Sequence, residues 1–448
     1  MFLSGRSIIL GVCCTMLLSS VMSVAADDSQ SNWGQWRGPL ATGEAPLADP
    51  PIDWSETASE SHHIRWKTSI PGRGHATPIV WDDHIFVTTA VPIGDALPPR
   101  YSGAPGAHDN LPITHHQQFV LLAISRTDGR VLWQRTLAEA LPHEGAHNTG
   151  SLASNSPVTD GERVYAYFGS YGLFCLDFDG KLLWERKFSR MQTKHGHGEG
   201  SSPTLYGDTL IVNWDHEGPS SIVALDKVTG EQRWQVERDE VTSWATPIVV
   251  EVDDRPQVIV SGTKRVRGYD LETGQPIWEC GGLSDNVVAS PVAADGIVVA
   301  ASSYDTRNMF AIRLAGARND ISGSDHVLWS RQQRTPYVPS PLLYQGSLYF
   351  LRHYQSVLSR VDLSTGEEPK GPFRVQGLFD IYASPIAASG RVYVTGRNGT
   401  TAVLDHNAPM KELAQNQLLE GVNASLAAVG HELFIRGEQS LYCIAEDR

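Results

Sequence analysis

Apolar positions along the chain fall in short runs broken by glycine, proline and acidic turn residues. Leu210-Ile211-Val212 and Ile222-Val223-Ala224-Leu225 lie either side of a polar loop, and Trp234 follows the turn at Thr229-Gly230. Runs of this length, rich in β-branched and aromatic residues, predict strands. The same arrangement recurs. Each copy opens on Ser/Thr-Pro, gives two β-type runs, reaches a run ending near Leu-Asp, turns at Thr-Gly or Asp-Gly and ends on a Trp strand. Copies open at Thr77, Ser156, Ser202, Thr246, Ser290, Ser340 and Ser384, and an eighth without proline opens near Ser425. Pro203, Pro247 and Pro291 stand 44 residues apart. Four strands per unit at that period predict propeller blades.

The expected fold is therefore all-β: an eight-bladed β-propeller of four-stranded antiparallel blades over residues 62–448. The eighth copy stops after its third strand, while residues 63–67 carry an unmatched Trp strand ahead of the first. Pairing residues 63–67 with 441–444 would close the ring and remove two sheet edges. Trp66, Trp133, Trp184, Trp234, Trp278 and Trp329 are read as structural, wedged between neighbouring blades with each indole N–H on a backbone carbonyl. Blades six and seven have Glu-Glu-Pro-Lys and Met-Lys-Glu-Leu in place of the Trp, so looser outer edges are expected there. Residues 27–61, with Trp33, Trp36 and Trp54, read as an extended arm anchored by aromatics.

Charge and the first residues narrow the setting. A net charge of -14 argues against nucleic acid and against an anionic lipid surface. Residues 1–26 read as a signal peptide: Arg6, an apolar stretch, then Val24-Ala25-Ala26. A secreted or periplasmic protein is expected, with no transmembrane span in the mature chain and as a monomer. A lipid anchor on Cys13 or Cys14 is not expected, since Val12 stands where a small residue is needed. Cys175, Cys280 and Cys443 remain, odd in number and far apart, and read as buried small hydrophobes.

Two units, Ala224 to Trp234 and Gly268 to Trp278, resemble the tryptophan-docking repeat of PQQ-like quinoprotein propellers. The resemblance covers residues 65–448, and length and signal are similar to the secreted BamB-like branch, which implies a scaffold or binding role. Quinoprotein dehydrogenases share the ring and carry PQQ, adjacent cysteines, a Glu/Asn/Asp metal set and a catalytic Asp. Here the only adjacent cysteines are Cys13-Cys14, and no calcium set matches residue by residue. PQQ is the cofactor the resemblance would imply; the sequence itself predicts none. The expected function is a non-catalytic binding or scaffold propeller. The alternative is a quinone-dependent oxidoreductase, or another enzyme using the histidine-rich face.

In a propeller the loop entering each innermost strand and the second-to-third-strand loop share one face, the usual binding face. That register selects His75, Asn155, Glu199, Trp244, Tyr337, Tyr382 and Asn423 as candidate ligand-binding residues. Flat aromatics with a few polar groups suit a planar or sugar-like ligand, and a protein partner is the other reading. Lys264 is placed at the rim. Long loops at 91–116 and 137–154 read as lids or binding loops. His195, His197 and Glu199 alternate, so an extended loop would aim all three at one metal ion. No metal is predicted, because no closed four-ligand pattern exists.

Overall fold

The computed structural model describes residues 29–408 and 410–446. The leader, with Cys13 and Cys14, lies outside the described residues. The rest is a ring of eight antiparallel sheets. Blade 3 shows the standard unit: inner strand Thr204–Tyr206, then Thr209–Trp214, Ser220–Asp226 and outer strand Gln232–Arg238. Ring closure is as the sequence predicts. Ile64–Ser69 is the outer strand of blade 8 and pairs antiparallel with Ser440–Ile444, Trp66 opposite Cys443 and Thr68 opposite Leu441. Cys175, Cys280 and Cys443 are free and buried. Among the described residues no helix is long and apolar enough to cross a membrane.

The Ser/Thr-Pro signature has a physical meaning that the repeat alone does not reveal. The backbone N–H of each opening Ser or Thr donates to the hydroxyl of the next. The circle runs from Thr77 to Ser156, Ser202, Thr246, Ser290, Ser340, Ser384 and Ser425, at 2.8–3.0 Å per step. A belt of hydroxyls thus satisfies buried donors around the axis, where no sheet can reach them. Thr77 Oγ1, where the belt would close, has no hydrogen-bond partner among the described residues.

The blade tryptophans dock forward. Trp66, Trp133, Trp184, Trp234 and Trp329 each donate Nε1–H to a carbonyl in the third-to-fourth-strand turn of the following blade: Arg126, Phe178, Lys227, Leu271 and Leu363. The turn glycine beneath the ring leaves no room for a side chain. A Cβ on Gly274, at φ +74°, would stand 2.7 Å from the Trp234 ring. Trp278 departs from the expected pattern and donates to Gln257 Oε1 in its own blade. Blade 5 has no tight Thr-Gly turn to receive it. Its third and fourth strands, Arg307–Arg313 and Val327–Arg331, are joined by a longer loop whose Asn319–Asp320 pairs parallel with the strand of Trp278.

The two Trp-less blades differ from each other. In blade 6 the outer strand shrinks to Phe373–Arg374. In blade 7 it is a full Glu412–Gln417, and its edge is covered by Ser55–Glu56 and Ser61–His62 of the arm, so the expected loose edge does not occur there. The rest of the arm crosses the lower end of the central channel. Trp33 pairs with Val80 in blade 1, Gly34 accepts from Thr159 in blade 2, Thr42 accepts from Leu343 in blade 6, and Ala45 donates to Ala387 in blade 7. Arg37, buried, donates to Pro341 O and Pro385 O at 2.8 Å and to Thr42 O at 3.1 Å.

Candidate functional site

With the arm across its lower end, the channel becomes a cup of about 710 Å³ open on the loop face. The residues entering the inner strands form its wall. They sit just before the Ser/Thr-Pro positions, so the hydroxyl belt holds them at fixed spacing. Trp36 of the arm also lines the cup. No site role for it was legible in the sequence; its one visible signal is the polar Arg37 embedded among aromatic and small residues.

Of the candidate ligand residues, His75, Glu199, Trp244, Tyr337, Tyr382 and Asn423 line the cup. Asn155 does not. It is buried behind the wall, donating through Nδ2 to Ser201 O at 2.6 Å and tying blade 2 to blade 3. The Glu199 carboxylate is turned aside: Oε2 accepts from Ser170 N–H and Oε1 from Ser170 Oγ, both at 2.6 Å. Burial pushes its pKa up to about 7. Lys264 lies outside the cup, 3.3 Å from Asp285.

The aromatic wall is continuous over blades 5 to 7. Tyr304 stacks on Tyr337 (6.0 Å, 20°), His353 sits between Tyr337 and Tyr354, and Tyr354 stacks on Tyr382 (5.8 Å, 10°). Tyr304, His353 and Tyr354 belong to second-to-third-strand loops. Trp244 donates Nε1–H to Gly198 O at 2.7 Å, which fixes its indole and leaves its face for contact. Several buried polar atoms beside these rings have no partner among the described residues: His75 Nε2, Asn423 Nδ2 and Asn286 Oδ1. The other ends of the two amides are held. Asn423 Oδ1 accepts from Arg397 Nε at 2.9 Å, and Asn286 Nδ2 donates to Tyr337 OH at 2.9 Å. Burial, then the charges of Arg73, Arg436 and Arg397, press the His75 pKa down to about 3. His75 is therefore neutral at ordinary pH and offers a hydrogen bond without a charge.

Opposite the tyrosines stand four imidazoles from three connections: His108, His147, His195 and His197, with ring centroids 4.7–5.3 Å apart. The expected alternation of His195, His197 and Glu199 is absent. The segment turns through Lys194–Gly196 with His195 at φ 59°, so it is not extended; the two imidazoles stay 5.3 Å apart while the Glu199 carboxylate turns away to Ser170. His195 Nδ1 and His197 Nε2 face the carbonyls of Pro105 and His108. Among the described residues the one close group of three metal-capable side chains is Asp53, His62 and His63 on the arm.

The first-blade insertion is shorter than the loop expected at 91–116, because His84–Ile93 and His116–Ser125 extend the sheet into it. Val131–Ala140 likewise takes the first residues of the loop expected at 137–154. The insertion folds over the cup's edge. Leu111 N–H donates to Ala146 O, Asn148 N–H to Asp109 O, and Asn110 Nδ2 to His195 O, all at 2.7–2.8 Å. His108 and Asp109 thereby reach the cup wall.

A family model described as "Outer membrane protein assembly factor BamB" matches residues 117–371. No curated protein matches the sequence significantly. Among solved structures, BamB from Moraxella catarrhalis is similar at 16% identity and TM-score 0.52, over 80% of this chain and 100% of that one. Quinohemoprotein alcohol dehydrogenase from Comamonas testosteroni is similar at 11% identity and TM-score 0.63, over 95% and 84%. A second such dehydrogenase, ADHIIG from Pseudomonas putida HK5, gives 11% and 0.58 over 95% and 82%. At these identities the structural likenesses establish the propeller fold and nothing further.

Proposed function

Because the chain belongs to the BamB-type family of PQQ-like β-propellers, we propose that it is a secreted or periplasmic binding propeller, non-catalytic, that takes a planar or sugar-like ligand in the cup. The observation that carries this reading is the wall itself. Aromatic faces of Trp244, Tyr337 and Tyr382 stand beside buried hydrogen-bonding atoms of His75, Asn423 and Asn286 that have no partner among the described residues. A buried polar atom left without a partner costs about 1–3 kcal/mol, so a ligand that supplies those bonds is favoured. The aromatic faces supply apolar contact area for a flat ring or the C–H face of a sugar.

A thermal-shift screen of saccharides and planar aromatic acids tests the reading, since a ligand that binds only the native state raises the melting temperature. Hits should lose tenfold or more in affinity in Trp244→Ala. A panel with no hit, or hits indifferent to that substitution, removes the cup as the site. The alternative of quinone-dependent oxidation is tested separately by adding PQQ and calcium and following dye-linked turnover of alcohols and sugars. Turnover abolished by Tyr382→Ala would favour it over the binding reading.

A further inference from the structure

Outside the cup, blades 5 and 6 enclose a second pocket of about 630 Å³ on the same face. Its lining includes Arg307, Arg334 and Arg352 and no carboxylate, in a chain of net charge -14. Glu368 pairs with Arg331 and Arg334. Arg307 and Arg352 are exposed and make no ion pair among the described residues. Three lining residues hold buried donor atoms without partners among the described residues: Ser303 Oγ, Thr335 Oγ1 and Arg334 Nε. Ser303 and Thr335 are each 1% exposed. The field of the arginines is felt at the boundary with the cup, where burial and then Arg307 and Arg352 push the His353 pKa down.

We infer that this pocket is an oxyanion site, built to hold a sulfate or phosphate group on a ligand. Guanidinium groups match the geometry of such oxygens, and hydroxyls with no other acceptor complete the donor set. The buried donors are costly without an acceptor, and the exposed, unpaired guanidinium groups of Arg307 and Arg352 supply the positive field that draws an anion to them. His353 and Tyr354 line both this pocket and the cup. An anionic substituent on a cup-bound molecule would reach it; that bridging rests on the binding reading above, whereas the oxyanion site stands without it.

The test uses the full mature chain and inorganic anions. Sodium sulfate and sodium phosphate are titrated against sodium chloride at matched ionic strength, because simple screening acts equally in all three. Both oxyanions should raise the melting temperature saturably, and chloride should not. Arg307→Ala/Arg352→Ala, two exposed positions, should weaken that response at least tenfold, and Thr335→Val should weaken it less. Trp244→Ala in the cup should leave it unchanged, which separates this site from the one proposed above. Tighter phosphate binding at pH 8 than at pH 6 names a phosphate ester; a pH-independent affinity shared with sulfate names a sulfate-type group. An equal response to chloride, or an unchanged response in the double arginine variant, overturns the inference.

Discussion

At the lower end of the channel Arg37 directs its guanidinium to three carbonyls of the arm and of blades 6 and 7, and Trp33 is wholly buried against blade 1. At the upper end His75, Asn423 and Asn286 each keep a buried polar atom without a partner among the described residues, and the tyrosines line the open cup. Both ends rest on the same hydroxyl belt. Unpartnered buried atoms occur at both ends among the described residues, Trp33 Nε1 and Arg37 Nε included, but the lower end is packed shut by buried side chains whereas the upper ones line an open cup. The comparison teaches that a ring whose blades are nearly alike acquires direction from the segments that do not repeat.

Substitutions at the two ends should therefore fail in different ways. Trp33→Ala deletes a large buried aromatic and should cost about 3–5 kcal/mol of stability, measured by denaturant unfolding. A cost below about 1 kcal/mol, the scale of a surface change, would mean that the arm is not part of the folded unit. Arg37→Met keeps the bulk but removes the donors to Pro341, Pro385 and Thr42. It should cost about 2–3 kcal/mol, the scale of hydrogen bonds to a charged group, without changing the upper wall.

Acid should act on the upper end first. Burial, then neighbouring imidazoles, lower the His197 pKa to about 4 from an ordinary 6.5, and burial lowers that of His147. The unfolded chain therefore takes up the proton before the folded one as pH falls. The stability these residues confer is complete above about 6.5 and is lost progressively as pH drops to about 4. Melting temperature should fall across that window, and His197→Gln should flatten part of the fall. An unchanged slope in that variant would show that the histidine contacts do not couple the insertion to the ring. The smallest effect belongs to Lys264→Ala. Its exposed pair with Asp285 should be worth under about 0.5 kcal/mol, and ligand affinity should not change.

What was legible in the sequence was what repeats. Ser/Thr-Pro and the Thr-Gly turn before each Trp mark the same physical task in successive blades, so blade number and ring closure could be read directly. The hydroxyl belt was present in those letters but invisible as a circle, since its bonds join residues some 44 positions apart. Trp36 was missed because the arm does not repeat and its course under the ring depends on long-range pairing with Val80 and Ala387. Glu199 and Asn155 sat at the right register yet point elsewhere, because one loop of blade 2 offers the Ser170 donors and Ser201 offers a carbonyl. Trp278 kept its letter but lost its turn when blade 5 lengthened its loop. Register fixes which backbone faces the axis; side-chain direction is decided by the nearest unmet hydrogen bond.

The central claim is that the upper end binds and the lower end closes. Isothermal titration of a hit from the thermal-shift screen into wild type, Trp244→Ala and Lys264→Ala tests it most directly. Trp244→Ala should lose tenfold or more in affinity, about 1.4 kcal/mol, with its unfolding transition intact, while Lys264→Ala should bind as wild type. Affinity lost in Lys264→Ala and kept in Trp244→Ala would contradict it and move the binding surface from the cup to the rim.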